Sequence, residues 1–183
     1  INGPGWYFIT VQPKALLVSH AAAAARKGRY DRVLTTGGPI EPEIDLGDRK
    51  NLAARAAAEL RAIGLTEVPV IAVPAPASAQ DRTYLSAVMV REWVAQNDPA
   101  LASLDLYSAG VHARRSWLVY RMAFGDAVEV GVLSAPPTHY DPPRWWTTST
   151  GVKTVIGEAI SLAWTKCCFW PAPKGSHEER WSR

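Results

Sequence analysis

The residues best placed for chemistry lie together in Ser108-Ala109-Gly110-Val111-His112-Ala113-Arg114-Arg115. The stretch reads as the end of a strand running into the start of a helix. There, unpaired backbone N–H groups and the helix dipole already favour an anion. At about 100° per residue, His112 and Arg115 stand roughly 60° apart around the helix, so both can face one crevice. Arg115 suits recognition of a phosphate or carboxylate, His112 suits general acid/base work or a hydrogen-bonding contact, and Ser108 adds a hydroxyl. A solvated helix start whose arginines merely cover apolar surface has the same pattern, and the stretch taken alone weighs equally for both.

Other segments offer partners. Thr35-Thr36-Gly37-Gly38 ends a β-branched run. Its two glycines let the backbone approach a ligand or take positive φ, though an ordinary turn uses them too. The acids that follow, Glu41, Glu43, Asp45 and Asp48, have the oxygen chemistry of a metal site, but loop acids are more often solvated. In Gln80-Asp81-Arg82-Thr83 we expect Thr83 to cap the next helix and Arg82 to reach the crevice. His139-Tyr140-Asp141-Pro142-Pro143-Arg144-Trp145-Trp146 supplies two indoles that wall a pocket or pack a helix, with packing expected of at least one. Glu158 falls in an otherwise apolar helix beside Ile156 and Ile160, and it either faces solvent or meets a basic partner.

Several chemistries lack their motifs. GxGxxG, Walker A, GxSxG, HExxH and kinase patterns are absent. The four histidines include His20 and His177 in unpromising contexts, which argues against a His-rich zinc site. Cys167 and Cys168 are neighbours without a CxxC spacing; they read as passive thiols, since the geometry of a bridge between adjacent residues disfavours an ordinary structural disulfide.

The elements that must hold these residues alternate regularly. Trp6 to Val11 reads as a short strand or extended arm closed by Pro13, and Lys14 to Lys27 as an alanine-rich helix stopped by Gly28. A strand over Arg32 to Thr36 leads to a helix over Arg49 to Ile63, with Leu52, Ala56, Leu60 and Ile63 on its apolar face, Asp48 as N-cap and Gly64 past its end. The same strand-then-helix order follows in Val68 to Val73 with Thr83 to Gln96, and in Leu104 to Ser108 with Val111 to Phe124, closed by Gly125. A strand over Val128 to Leu133, a proline-rich loop over Ser134 to Pro143 and a helix over Gly151 to Trp170 complete the pattern.

Apolar strands alternating with helices predict parallel β-α-β units. The expected fold is α/β, a Rossmann-like three-layer sandwich with a mainly parallel central sheet and helices on both faces. Ligands in such sheets sit beyond the carboxyl ends of the strands, so the loops after Thr36, Val73, Ser108 and Leu133 should carry function.

The chain has 183 residues, 48% hydrophobic and 20% charged, consistent with one domain over residues 1–173 and a polar, frayed tail from Lys174 to Arg183. That composition excludes wholesale disorder and collagen-like repeats. Lys and Arg outnumber Asp and Glu by 20 to 17, a net charge of +3, and they are dispersed rather than gathered in a stripe, so no nucleic-acid partner is implied. Apolar stretches are broken by Lys14 and Lys166, short of the roughly 20 residues that a bilayer span needs. Ile1 begins mid-pattern, as in a fragment or processed form, which leaves localisation and oligomeric state open.

In this order the residues resemble the YdcF/SanA/ElyC-like family, a bacterial domain of unknown function. The resemblance runs from about Tyr30 to Trp164. It rests on an S-x-x-x-H-x-x-R pattern met by Ser108, His112 and Arg115, with Gly37-Gly38, the Thr83 helix start, Trp145-Trp146 and Glu158 in family order. It implies a Rossmann-like crevice built from Thr36, Gly37, Gly38, Arg82, Thr83, Ser108, His112, Arg115, Trp145 and Glu158. It also implies an anionic or nucleotide-like ligand, S-adenosylmethionine among the candidates, and a role in cell-envelope or peptidoglycan-related metabolism, in the cytoplasm or at the envelope. The family's opening strand is not cleanly matched before Pro13, so that strand is either truncated or replaced by Trp6 to Val11. The rival reading is an envelope-associated interaction protein without catalysis. The two separate on one point: a ligand site requires His112, Arg115 and Thr36 or Gly37 to line a single concave pocket.

Overall fold

The computed structural model describes residues 6–11, 15–28, 30–40, 51–78 and 81–180. The Glu41–Asp48 acids and Gln80 lie outside them. Five strands form one parallel sheet: β1 (Trp6–Val11), β2 (Arg32–Gly37), β3 (Val70–Pro74), β4 (Ser103–Ala109) and β5 (Glu129–Ala135). Their order is β3-β2-β1-β4-β5, so the expected Rossmann-like α/β sandwich is what the chain forms. Trp6 to Val11 is therefore no peripheral arm. It is the central strand, with Val11 paired to Thr36 and Thr10 to Tyr107, and the chain direction of crossover reverses between β1 and β4.

Period-two alternation divides the core. Tyr7 and Ile9 point to one face with Leu34, Leu104 and Leu106, where α3 (Arg82–Asn97) and α4 (His112–Phe124) cover them. Phe8, Val33 and Tyr107 point to the other, where α1 (Ala15–Gly28) and α2 (Leu52–Ala62) pack. Alanines at 21, 22 and 25 bring α1 close to the sheet. An acidic side chain is buried in β4: Asp105 accepts a 2.6 Å hydrogen bond from the Tyr30 hydroxyl. Its register partner on β5 is Gly131, where any Cβ would collide with that carboxylate.

Helix ends depart from expectation in instructive ways. α2 is capped by Asn51, whose side chain accepts from the Ala54 N–H at 2.7 Å, not by Asp48. Its buried face is Ala53, Ala56, Ala57 and Leu60, and Ile63 is exposed because the helix has already ended. The last helix, α5 (Ser149–Cys167), starts from a Thr148 cap and crosses the carboxyl edge of the sheet against α4. Cys167 and Cys168 are not two free thiols; they are bridged to each other at its end.

The described part of the tail, Lys174 to Arg180, is not frayed. Glu179 is 5% exposed. It accepts from Arg91 through Nη1 and Nη2, both at 2.6 Å, from the Tyr84 hydroxyl at 3.0 Å and from the Gly175 N–H at 2.7 Å. Composition identified the segment as polar, but one carboxylate facing a buried arginine was enough to dock it. No helix among the described residues is long and apolar enough to cross a membrane.

Candidate functional site

The carboxyl ends of the strands open into a cavity of about 1160 Å³, roofed by α5. Thr36, Gly37 and Gly38 come to it from β2, Arg82 and Thr83 from the start of α3, His112 and Arg115 from the start of α4, and Glu158 from the roof. The requirement for one concave pocket is thus met. Gly37 has φ of 152°, and a Cβ there would stand 2.7 Å from Leu52 Cβ, so the turn out of β2 needs glycine. Gly110 turns the chain between β4 and α4 with φ of 46°.

Two expected members lie elsewhere. Ser108 is 1% exposed, and its hydroxyl is 3.2 Å from that of Ser116, so it joins β4 to α4 beneath the crevice floor. Alternation along β4 turns its side chain inward once Ala109 and Gly110 carry the chain to the crevice. Trp145 lines a separate apolar cavity of about 550 Å³ with Tyr140 and Val155. It is a half-buried member of the 3₁₀ segment Pro142–Thr147, while Trp146 is exposed.

The centre of the site is a three-residue cluster. Glu158 Oε1 is 2.9 Å from His112 Nδ1, and the carboxylate also accepts from Arg115 Nε at 2.8 Å and Nη2 at 3.0 Å. Burial alone would raise the Glu158 carboxyl; hydrogen bonds and charge from His112 and Arg115 overcome it and hold the group at about 2, down from an ordinary 4.5. Arg115 Nη2 also lies 3.0 Å from His112 Nδ1, so the imidazole is held by the carboxylate and the guanidinium together. The other ring nitrogen, Nε2, is a buried atom without a hydrogen-bond partner among the described residues. Thr36 Oγ1, at the opposite strand end, is buried and unpartnered in the same sense. His112 and Thr36 both line the cavity, and each keeps a buried polar atom without a partner among the described residues.

The cluster modifies the sequence-based role of Arg115. Two of its nitrogens already serve an internal carboxylate, so it holds Glu158 and presents only its remaining N–H groups to a ligand. Neither α3 nor α4 has a side-chain cap: Thr83 and Asp81 make no capping bond, and Val111 has none to offer. At α4 the Ala113 N–H donates instead to the Gly110 carbonyl at 3.2 Å.

Asp81 also lines the cavity, in a segment where the sequence assigned roles only to Arg82 and Thr83. Its φ and ψ are 49° and 29°, the left-handed region, which a non-glycine residue enters at a cost. That conformation carries its carboxyl to the cavity wall instead of onto the α3 N-terminus. Burial raises the carboxyl and the Arg115 charge partly offsets this. His139, Ser161, Trp164, Thr165 and Phe169 also line the cavity. Ser161, Trp164 and Thr165 recur at helical intervals around Glu158 on α5, which is the signal that would have found them, and Phe169 follows just past its end. Among the described residues no group of three or more His, Cys, Asp and Glu is gathered as a metal site. Compared with known protein families, no family model matches the chain.

Proposed function

We propose that the chain is a YdcF/SanA/ElyC-like domain that binds an anionic, nucleotide-like or sugar-phosphate small molecule at the carboxyl edge of its sheet, with His112 Nε2 as the acid/base group facing it. The observation that supports this is the Glu158–His112–Arg115 cluster on the cavity, in which Nδ1 meets the carboxylate and Nε2 has no hydrogen-bond partner among the described residues. The anionic part is received by Arg82, the free N–H groups of Arg115 and the starts of α3 and α4. Asp81 stands among these cations, which favours a ligand carrying hydroxyl or amine donors beside its anionic group. A ribose phosphate or a sugar phosphate has that layout, and S-adenosylmethionine shares the donor half. A role in cell-envelope metabolism follows from the same resemblance.

Thermal shift against nucleotides, sugar phosphates and S-adenosylmethionine tests the reading. Wild type is compared with Arg115→Ala and with Arg115→Ala/Glu158→Ala, which avoids stranding the carboxylate. The expected result is a stabilised wild type and a lost response in both variants. No response from wild type to any of these compounds, or equal responses from all three proteins, overturns it.

A further inference from the structure

Cys167 ends α5 and Cys168 caps it, and their sulfurs are joined. A bridge between neighbours encloses no intervening residue, so it removes little entropy from the unfolded chain and fastens no distant segments together. Its effect is confined to the turn at which α5 gives way to Phe169. Both cysteines are exposed, within reach of a soluble thiol. The inward side of that turn belongs to the crevice: Trp164, Thr165 and Phe169 line it, and Thr165 is 3% exposed. Phe169 packs edge-on to Tyr84 with ring centres 5.2 Å apart, and against Trp164 at 5.5 Å. The Tyr84 hydroxyl in turn donates to Glu179. One short turn thus has an exposed disulfide on its outer side and cavity-lining residues on its inner side.

We propose that the Cys167–Cys168 bridge is a thiol–disulfide exchange site for dithiol reductants, and that its state sets how Trp164 and Phe169 close that end of the crevice. The thiolate of the dithiol attacks one sulfur of the bridge, forming a mixed disulfide and releasing the other cysteine as a thiolate that takes up a proton. The second thiol of the reductant then attacks the mixed disulfide, frees the remaining cysteine thiol and closes its own disulfide. The protein gains two electrons and two protons, and the dithiol loses both. In the reduced state the turn is no longer held in a ring and Phe169 can leave Tyr84. The inference concerns the crevice wall and is independent of which ligand the crevice takes.

The test uses the full chain purified without reductant. Iodoacetamide should leave it unlabelled; after dithiothreitol the intact mass should rise by two hydrogens, and two carbamidomethyl groups should attach, the chain having only these 2 cysteines. Labelling of two thiols before reductant is added overturns the bridge. Amide hydrogen exchange then reads the wall. Reduction should speed exchange several-fold in segments containing Trp164–Trp170 and Tyr84, and Cys167→Ser/Cys168→Ser should show the faster exchange with no response to dithiothreitol. Unchanged exchange on reducing the wild type overturns the coupling, and this reading does not depend on the variant folding.

Discussion

Glu158 and His112, 46 residues apart in sequence, meet at 2.9 Å through Oε1 and Nδ1, and the same carboxylate carries Arg115. Two residues from one helix start are therefore oriented by a single group on another helix. Replacing Glu158 by Gln exchanges an ionised acceptor for a neutral amide. We expect about 2 kcal/mol of destabilisation, between the values for exposed and fully buried pairs, or about 4–8 °C in Tm. Denaturant melts of Glu158→Gln and wild type measure it; an unchanged midpoint would show that the cluster does not act as a unit.

The same carboxylate sets an acid limit. Its folded value is about 2 against an ordinary 4.5, a lowered carboxyl. Its contribution is fully present above about 4.5 and is lost as pH falls through about 2. The stability difference between wild type and Glu158→Gln should therefore hold steady down to about pH 4.5 and shrink between there and about pH 2. A difference that stays constant across that window would refute the assignment of the lowered value to Glu158.

Asp81 occupies the left-handed region at the start of α3 without a capping bond. Glycine takes that backbone freely and alanine does not, so Asp81→Ala should be less stable than Asp81→Gly by roughly 1 kcal/mol. Both should lose discrimination between a sugar phosphate and inorganic phosphate, because the carboxyl facing the donor half is gone. Equal stability of the two variants would argue against the strained backbone; retained discrimination would argue against the ligand contact.

Arg91 and Glu179 make the most buried ion pair among the described residues, with side chains 17% and 0% exposed. Glu179→Ala leaves Arg91 uncompensated and should cost about 3 kcal/mol, near the lower end for breaking a buried pair. Arg91→Met/Glu179→Leu should recover most of that loss. A double-mutant cycle by chemical denaturation measures the coupling.

How far the sequence carried can be judged residue by residue. The alternation of apolar runs and helices was legible because it is local, and it predicted the α/β sandwich and most element positions. Trp6–Val11 was less so: six residues do not say whether a strand is central or peripheral, and only pairing on both sides with β2 and β4 decides. His112, Arg115, Thr36 and Gly37 were legible because strand-end loops converge in any such sheet. Ser108 failed because one step along a strand reverses a side chain. Glu158's partners, Glu179's docking and the orientation of Asp81 depend on contacts across long stretches of chain or on a single unusual φ, and no local pattern encodes those.

The roof helix has one more implication, for the order of events during synthesis. Every strand and both helix starts of the crevice precede Ser149, whereas the carboxylate that orients His112 and Arg115 arrives at Glu158 and the wall closes at Phe169. A nascent chain can assemble its sheet while the arginine and imidazole still lack their counter-ion. The crevice wall is complete only once α5 and Phe169 are in place, after the sheet and both helix starts.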